Sequence, residues 1–325
     1  MGRARVLISE PLPHMEEDIQ TLSAYADVTV APSPTEEALC AEIGEADLLL
    51  VVYAKVTSRV IEAAPKLRGI VRCGIGVDNI DLGAATARKI IVVNVPDYAT
   101  ETVSDHAFAL LISLARRITL ADHAMRNKSW GTWTSPSKRY RGIDLEGRTL
   151  GIIGIGRIGR ALARKAHAFN MNLLAFDPYV EEKELDGTKV KLTDLDTLLK
   201  ESDFVAVNAA LTPQTRGLIG EKQLRLMKHS AYIINTSRGS LIDENALIRA
   251  LEEKWIAGAG LDVYENEPPD IHNPLLGFEN TVLTPHIAWA TEEATRRLER
   301  AAVERATELL QGKIPRTVVN LEVLK

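Results

Sequence analysis

The chain is poor in cysteine. Only Cys40 and Cys73 occur in 325 residues, too few for a disulfide framework, so each reads as a small buried hydrophobe in a protein of a reducing compartment. Long apolar runs are missing too: the longest, Ala107 to Ala115, holds nine residues with Ser113 inside it, about half of the ~18 needed to cross a bilayer. No apolar leader with a small-residue cleavage site follows Met1, Gly2 has no Ser or Thr at position 6, and the C-terminus carries no lipidation cysteine. A cytoplasmic location is the expectation. There is no basic excess either, because 39 Lys+Arg stand against 44 Asp+Glu and leave a net charge of -5. No positive field draws a phosphate backbone, so neither nucleic acid nor a membrane is an expected partner, and no metal is expected.

What is present is the composition of an ordinary soluble globule: 46% hydrophobic and 26% charged residues, at a length about twice that of a usual single domain, which predicts two domains. Short β-branched runs alternate with helical stretches through the first hundred residues, at Val6-Leu7-Ile8, Val28-Thr29-Val30, Leu48 to Val52, Ile70-Val71 and Ile90 to Val95. That cadence reads as a parallel α/β lobe. Asn94-Val95-Pro96-Asp97-Tyr98 breaks it with turn residues, and Thr102 offers an N-cap for a helix to about Ile118, so a hinge is placed there. Ala107, Leu110, Leu111, Leu114, Ala115 and Ile118 keep helical spacing, while Phe108 and Ile112 widen the stripe almost all round; a core helix and a subunit interface both fit. The Trp-bearing stretch Lys128 to Arg141 reads as an exposed loop or extended arm. From Thr149 a second βαβ series begins, with strands at Leu150 to Ile153, Leu173 to Phe176, Phe204 to Val207, Tyr232 to Ile234, Ala257 to Leu261 and Val282-Leu283. A last helix, about Thr291 to Leu310, precedes a strand-like Thr317-Val318-Val319 whose partner is expected in the first lobe.

Gly154-Ile155-Gly156-Arg157-Ile158-Gly159 follows an apolar strand, opens a helix and is followed 18 residues after Gly159 by Asp177 at the end of the next strand. In a G-x-G-x-x-G of this setting the first glycine permits the tight turn, the second lets amides approach a pyrophosphate, and the third lets helix and strand pack closely. Asp177 accepts from ribose hydroxyls and repels a 2'-phosphate, and Pro178-Tyr179-Val180-Glu181 brings no Arg to neutralise one, so NAD is expected rather than NADP. No G-K-[ST] follows, which excludes a nucleoside-triphosphate loop. Three further segments end later strands: Asn235 to Gly239 with Arg238, Gly260 to Tyr264 with Glu267-Pro268 beyond, and Thr284-Pro285-His286. An open α/β sheet presents its ligand crevice at those ends.

Over essentially its whole length, from Ala63-Ala64-Pro65-Lys66-Leu67 and Gly74-Ile75-Gly76-Val77-Asp78-Asn79-Ile80-Asp81 to Thr284-Pro285-His286, the chain resembles the D-isomer-specific 2-hydroxyacid dehydrogenases. The resemblance implies a Rossmann NAD domain, 101–290, inserted into a discontinuous flavodoxin-like substrate domain, 1–100 and 291–325: two doubly wound parallel sheets closing over a cleft. It implies a catalytic set of Arg238, Glu267 and His286. His286 would donate the proton in reduction, with Glu267 stabilising its imidazolium and raising its pKa, and Arg238 would grip carboxylate and carbonyl through its planar fork. Cofactor contacts would fall on Gly154, Gly156, Arg157, Ile158, Gly159, Asp177, Ala209, Thr236, Ser237, Thr102 and Asp262, the last touching the nicotinamide carboxamide. Substrate contacts would fall on Tyr53, Ala54, the amides of Gly74, Ile75 and Gly76, and Trp289, for which a pocket wall and a lobe-interface aromatic are equal readings. Asn208 departs from the His that many members carry.

Glu267, where formate-oxidising relatives usually carry Gln, points to 2-hydroxy acids. Val51 to Thr57 lacks the Arg that phosphoglycerate-specific members tend to carry, with only Lys55 to compensate. Tyr53-Ala54, Asn94 to Tyr98, Ser104 to Ala107 and His286 to Trp289 look most like the bacterial branch grouped with C-terminal-binding protein, near phosphoglycerate dehydrogenase. The resemblance thus implies an NAD-dependent reductase of small 2-oxo acids working as a homodimer. A 3-phosphoglycerate dehydrogenase and a glyoxylate/hydroxypyruvate reductase are the alternatives, and an NAD(H)-sensing scaffold is the alternative class. With no domain after Lys325, serine feedback is not expected.

Overall fold

The computed structural model describes residues 2–11, 13–128, 139–185 and 187–325. The chain divides into two compact units, Met1–Ala99 with Ala290–Lys325, and Thr100–Trp289.

In the first unit β1 (Ala4–Ile8), β2 (Ala26–Val30), β3 (Leu48–Val51), β4 (Gly69–Arg72) and β5 (Ile91–Val93) pair in parallel in the order β2-β1-β3-β4-β5. This is the flavodoxin-like winding. Its inner strands, Leu48-Leu49-Leu50-Val51 and Gly69-Ile70-Val71-Arg72, are buried along their whole length, as strands covered on both faces must be. The helices between them start on side-chain caps: Thr35, Thr57 and Asp81 accept from the amides of Ala38, Val60 and Ala84, each worth about 1 kcal/mol. The helix Glu292–Leu310 is capped by Thr291 and packs on β3 and β4.

Past that helix the chain returns to β5 through one antiparallel bridge, Val93 to Val318, with Val319 N–H donating to the Val92 carbonyl at 2.8 Å. No strand forms at Thr317-Val318-Val319. The ladder stops because the buried Asn320 side chain replaces the next rung, taking the Val92 amide at 2.9 Å and giving to the Ile90 carbonyl at 2.9 Å.

The second unit holds β6 (Thr149–Ile153), β7 (Asn172–Phe176), β8 (Val190–Leu192), β9 (Phe204–Val207), β10 (Tyr232–Asn235), β11 (Gly258–Leu261) and β12 (Thr281–Leu283). All pair in parallel in the order β12-β11-β10-β9-β6-β7-β8. Chain order reverses between β6 and β9, and that reversal opens the crevice in which such sheets bind dinucleotides.

The long helix begins at Thr100, so Thr102 lies in its first turn and is not the cap; it ends at Arg116, not Ile118. Arg117, in the left-handed region at φ 53°, breaks it, and a second helix runs Ile118–Arg126. Ala107, Phe108, Leu110, Leu111, Leu114 and Ala115 are buried within this unit's own core, which decides for the core-helix reading of that stripe. The following helix instead buries none of its residues and exposes Ile118 and Met125. Most of the Lys128 to Arg141 stretch, residues 129–138, lies outside the described residues. Of the cysteines, Cys73 is buried and Cys40 only partly so.

Candidate active site

β6 delivers Gly154 with φ +90°, where a Cβ would stand 2.7 Å from the Ala209 amide nitrogen and 2.8 Å from the Asn208 carbonyl. Only glycine serves there, on both counts. Gly159 likewise admits no side chain, because its Cβ would strike the Gly154 carbonyl, so the helix Arg157–Ala168 can lie close on β6. Gly156 is the contrast: it has open space around it and caps that helix without a side chain. The first-turn amides and the positive end of the helix dipole are therefore left for an anion.

Asp177, one residue past β7, accepts from the amides of Ile155 and Tyr179, both at 3.0 Å, which fixes its carboxylate beside the glycine turn. Across the crevice, Asn208 Oδ1 is buried and has no hydrogen-bond partner among the described residues. The open space at Gly156 and the unpartnered Asn208 oxygen fit a bound dinucleotide.

Arg238, Glu267 and His286 all come from loops after β10, β11 and β12. The buried Asn235 templates the first loop by accepting from the Ser237 amide at 3.0 Å and donating to the Arg238 carbonyl at 2.9 Å, while the Ser237 hydroxyl donates to the Val207 carbonyl at 2.9 Å. Gly239 has no room for a Cβ against the Tyr264 and Glu265 backbone, so the Arg238 turn sits directly on the loop that carries Glu267.

Glu267 takes the Tyr264 amide on Oε1 at 3.0 Å and pairs through Oε2 with His286 Nδ1 at 2.6 Å. Burial pushes its carboxyl up, but the His286 hydrogen bond, the charge of His286, the Tyr264 amide and the Arg238 charge together outweigh burial and hold it below its ordinary value. Glu267 is thus ionised at neutral pH. Since the unfolded chain binds that proton more readily, the pair stabilises the fold above the ordinary 4.5. The contribution disappears as pH falls through the folded value.

His286 has φ 54°, and its amide donates to the Asp262 carbonyl at 2.8 Å. Asp262 itself is fully buried, and its carboxylate accepts from the Thr284 hydroxyl at 2.6 Å, the Ile287 amide at 2.9 Å and the Ala288 amide at 2.8 Å. Burial first, and then the Asp262, Glu267 and Glu244 charges, push the Tyr264 phenol up to about 12, so it stays protonated and donates to the Thr284 carbonyl at 3.2 Å.

Of the other sequence-identified cofactor residues, Thr236, Ser237 and Ala209 lie half-buried at the ends of β10 and β9, Ile158 is half-buried and Arg157 exposed at the start of the glycine-loop helix, and Thr102 is in the long helix. Trp289 is half-buried three residues past His286.

Tyr53, Ala54, Gly74, Ile75 and Gly76 belong to the first unit, in loops after β3 and β4. Glu10 holds the Ala54 amide at 2.9 Å, and Asn94 holds the Ile75 carbonyl at 2.8 Å. The Gly74 amide is spent on the Arg72 carbonyl at 2.9 Å, whereas those of Ile75 and Gly76 donate to no group among the described residues.

Sequence reasoning missed two contributors, His106 and Thr284, and the part Asp262 plays as an acceptor for its own loop. Both residues stand inside segments that the sequence singles out, but their pairing spans 178 residues and gave neither a role there.

Among known proteins, the profile of the D-isomer specific 2-hydroxyacid dehydrogenase NAD binding domain matches residues 108–288. The chain is 42% identical over 319 residues to a D-3-phosphoglycerate dehydrogenase of Methanocaldococcus jannaschii, covering 98% of this chain but only 59% of that protein. It is 41% identical over 328 residues to a glyoxylate reductase of Korarchaeum cryptofilum, covering 99% and 98%. The crystal structure of a glyoxylate reductase from Paecilomyes thermophila superposes with a TM-score of 0.89 at 32% identity, covering 98% of this chain and 99% of that one.

Proposed function

Because the chain belongs to the D-isomer-specific 2-hydroxyacid dehydrogenase family, an NAD-dependent oxidoreductase class, we propose that it reduces a small, unphosphorylated 2-oxo acid such as glyoxylate or hydroxypyruvate. The observation that carries this reading is the 2.6 Å bond between His286 Nδ1 and an ionised Glu267, beside the Arg238 charge. NADH supplies the hydride that C2 of the substrate receives. With Nδ1 on the carboxylate, Nε2 gives the proton to the carbonyl oxygen. Glu267 takes no proton; it holds the tautomer and offsets the imidazolium charge. Arg238 presents parallel N–H donors to carboxylate and carbonyl oxygen, drawing electron density from C2 as negative charge develops. The substrate carboxylate is assigned to the loop of Gly74, Ile75 and Gly76, where the Ile75 and Gly76 amides donate to no group among the described residues.

The full-length similarity to a glyoxylate reductase and the lack of an Arg at Val52-Tyr53 support the unphosphorylated substrate. Steady-state NADH oxidation with glyoxylate, hydroxypyruvate, 3-phosphohydroxypyruvate and 4-methylthio-2-oxobutyrate tests this. The expected order of kcat/KM puts one of the first two at the top; a preference for the phosphorylated acid overturns the substrate assignment, and tight NADH binding without turnover overturns the reaction.

Asp177 supports NADH over NADPH, since a carboxylate beside the glycine turn would repel a 2'-phosphate. Asp177→Asn with Tyr179→Arg is expected to raise the NADPH/NADH ratio of kcat/KM roughly 10- to 100-fold, the weight of a charge-assisted bond of about 1.5–3 kcal/mol. An unchanged ratio removes Asp177 from cofactor choice. We assign a homodimer in the cytoplasm. The exposed apolar side chains of Ile118 and Met125 support the first assignment, and the two thiols outside any disulfide support the second.

A further inference from the structure

His286 keeps a left-handed backbone, φ 54°, which a side-chain-bearing residue holds only where its surroundings fix it. The fixing group is the Asp262 carboxylate. It gathers the amides of Ile287 and Ala288, the two residues after His286, and the hydroxyl of Thr284, two residues before it. The carboxylate is in turn reached from a different element: His106, on the helix Thr100–Arg116, places Nε2 2.9 Å from Thr284 Oγ1 and 3.5 Å from Asp262 Oδ1. The direction of these bonds follows from donor counting. The Thr284 hydroxyl has one proton, and it goes to Asp262. His106 must therefore be the donor in the 2.9 Å contact, with its proton on Nε2. The order of donation is His106 Nε2–H to Thr284 Oγ1, then Thr284 O–H to Asp262 Oδ1.

Resting on the dehydrogenase reading above, we infer that His106 is a positioning residue for the proton donor: it locks the Thr284 hydroxyl onto Asp262 and so holds the 284–288 turn that aims His286. It touches neither substrate nor cofactor in this role. Without the Nε2 donor the Thr284 hydroxyl is free to rotate, Asp262 loses one of its acceptor bonds, and the Ile287 and Ala288 amides are held less tightly. His286 then spends less time aligned with the carbonyl oxygen. The loss falls on the chemical step and not on substrate capture, because Arg238 and the Ile75 and Gly76 amides are untouched.

The test compares His106→Leu, which removes the donor, with His106→Gln, whose side-chain amide restores an N–H donor. Two readouts are taken on the full chain: amide hydrogen exchange of the 284–289 segment, and kcat and KM for the best 2-oxo acid at saturating NADH. His106→Leu is expected to speed exchange at Ile287 and Ala288 and to lower kcat, each roughly 3- to 10-fold, the weight of one hydrogen bond, with KM and NADH affinity unchanged. His106→Gln is expected to recover most of both. Unchanged exchange in His106→Leu overturns the inference, as does a Gln variant no better than Leu or a loss expressed in KM alone. The exchange readout needs no turnover. A wild-type protein that reduces no 2-oxo acid would therefore sink the dehydrogenase reading, while the exchange comparison still decides whether His106 holds the turn.

Discussion

Replacing His286 with alanine is expected to lower kcat for 2-oxo acid reduction roughly 10²- to 10⁴-fold, the span of general acid catalysis, while NADH affinity by fluorescence titration stays near wild type. The expectation follows from position: His286 sits after β12 with Nδ1 on Glu267, and the glycine turn proposed to take the pyrophosphate lies after β6. His286→Asn is the companion variant, since asparagine adopts the left-handed backbone more readily than alanine and so separates loss of the acid from distortion of the turn. Equal losses of turnover in both variants with NADH binding kept fit the proton-donor role. A parallel loss of NADH affinity in both variants contradicts it.

Arg238→Gln is expected to reduce kcat/KM roughly 10²- to 10⁴-fold, because two charge-assisted bonds of about 1.5–3 kcal/mol each are lost. The loss divides between the two kinetic constants. Contact with the carboxylate is made in ground and transition states alike and appears in KM, whereas contact with the carbonyl oxygen strengthens as charge develops and appears in kcat. Arg238→Lys keeps the charge without the planar fork and is expected to stay well below wild type in kcat/KM. Steady-state kinetics of the two variants decide it; a lysine variant equal to wild type would reduce Arg238 to a simple point charge.

Much of this site was legible because its signals are local. The glycine turn and Asp177 announce themselves by spacing alone, since Gly154 and Gly159 answer steric demands within one βαβ unit. Arg238, Glu267 and His286 could be placed at strand ends, but it was the family resemblance that singled them out together.

Other features left no such trace. The amides that Asp262 gathers are backbone groups, which any residue at 287 or 288 would supply. His106 meets Thr284 across 178 residues, and on sequence it is one more polar position on a helix. The break at Arg117 carries neither glycine nor proline to mark it. β8, a three-residue strand with Lys191 at its centre, is too short for a period-2 pattern to show.

The central claim is that one imidazole and one guanidinium act on the same carbonyl oxygen. A crystal structure of the protein with NAD and oxamate, a 2-oxo acid mimic, tests it most directly. The account predicts His286 Nε2 and an Arg238 guanidinium nitrogen both within about 2.6–3.2 Å of the 2-oxo oxygen, with Glu267 still on Nδ1. Oxamate bound with that oxygen facing other groups, or with His286 turned away from it, would contradict the account.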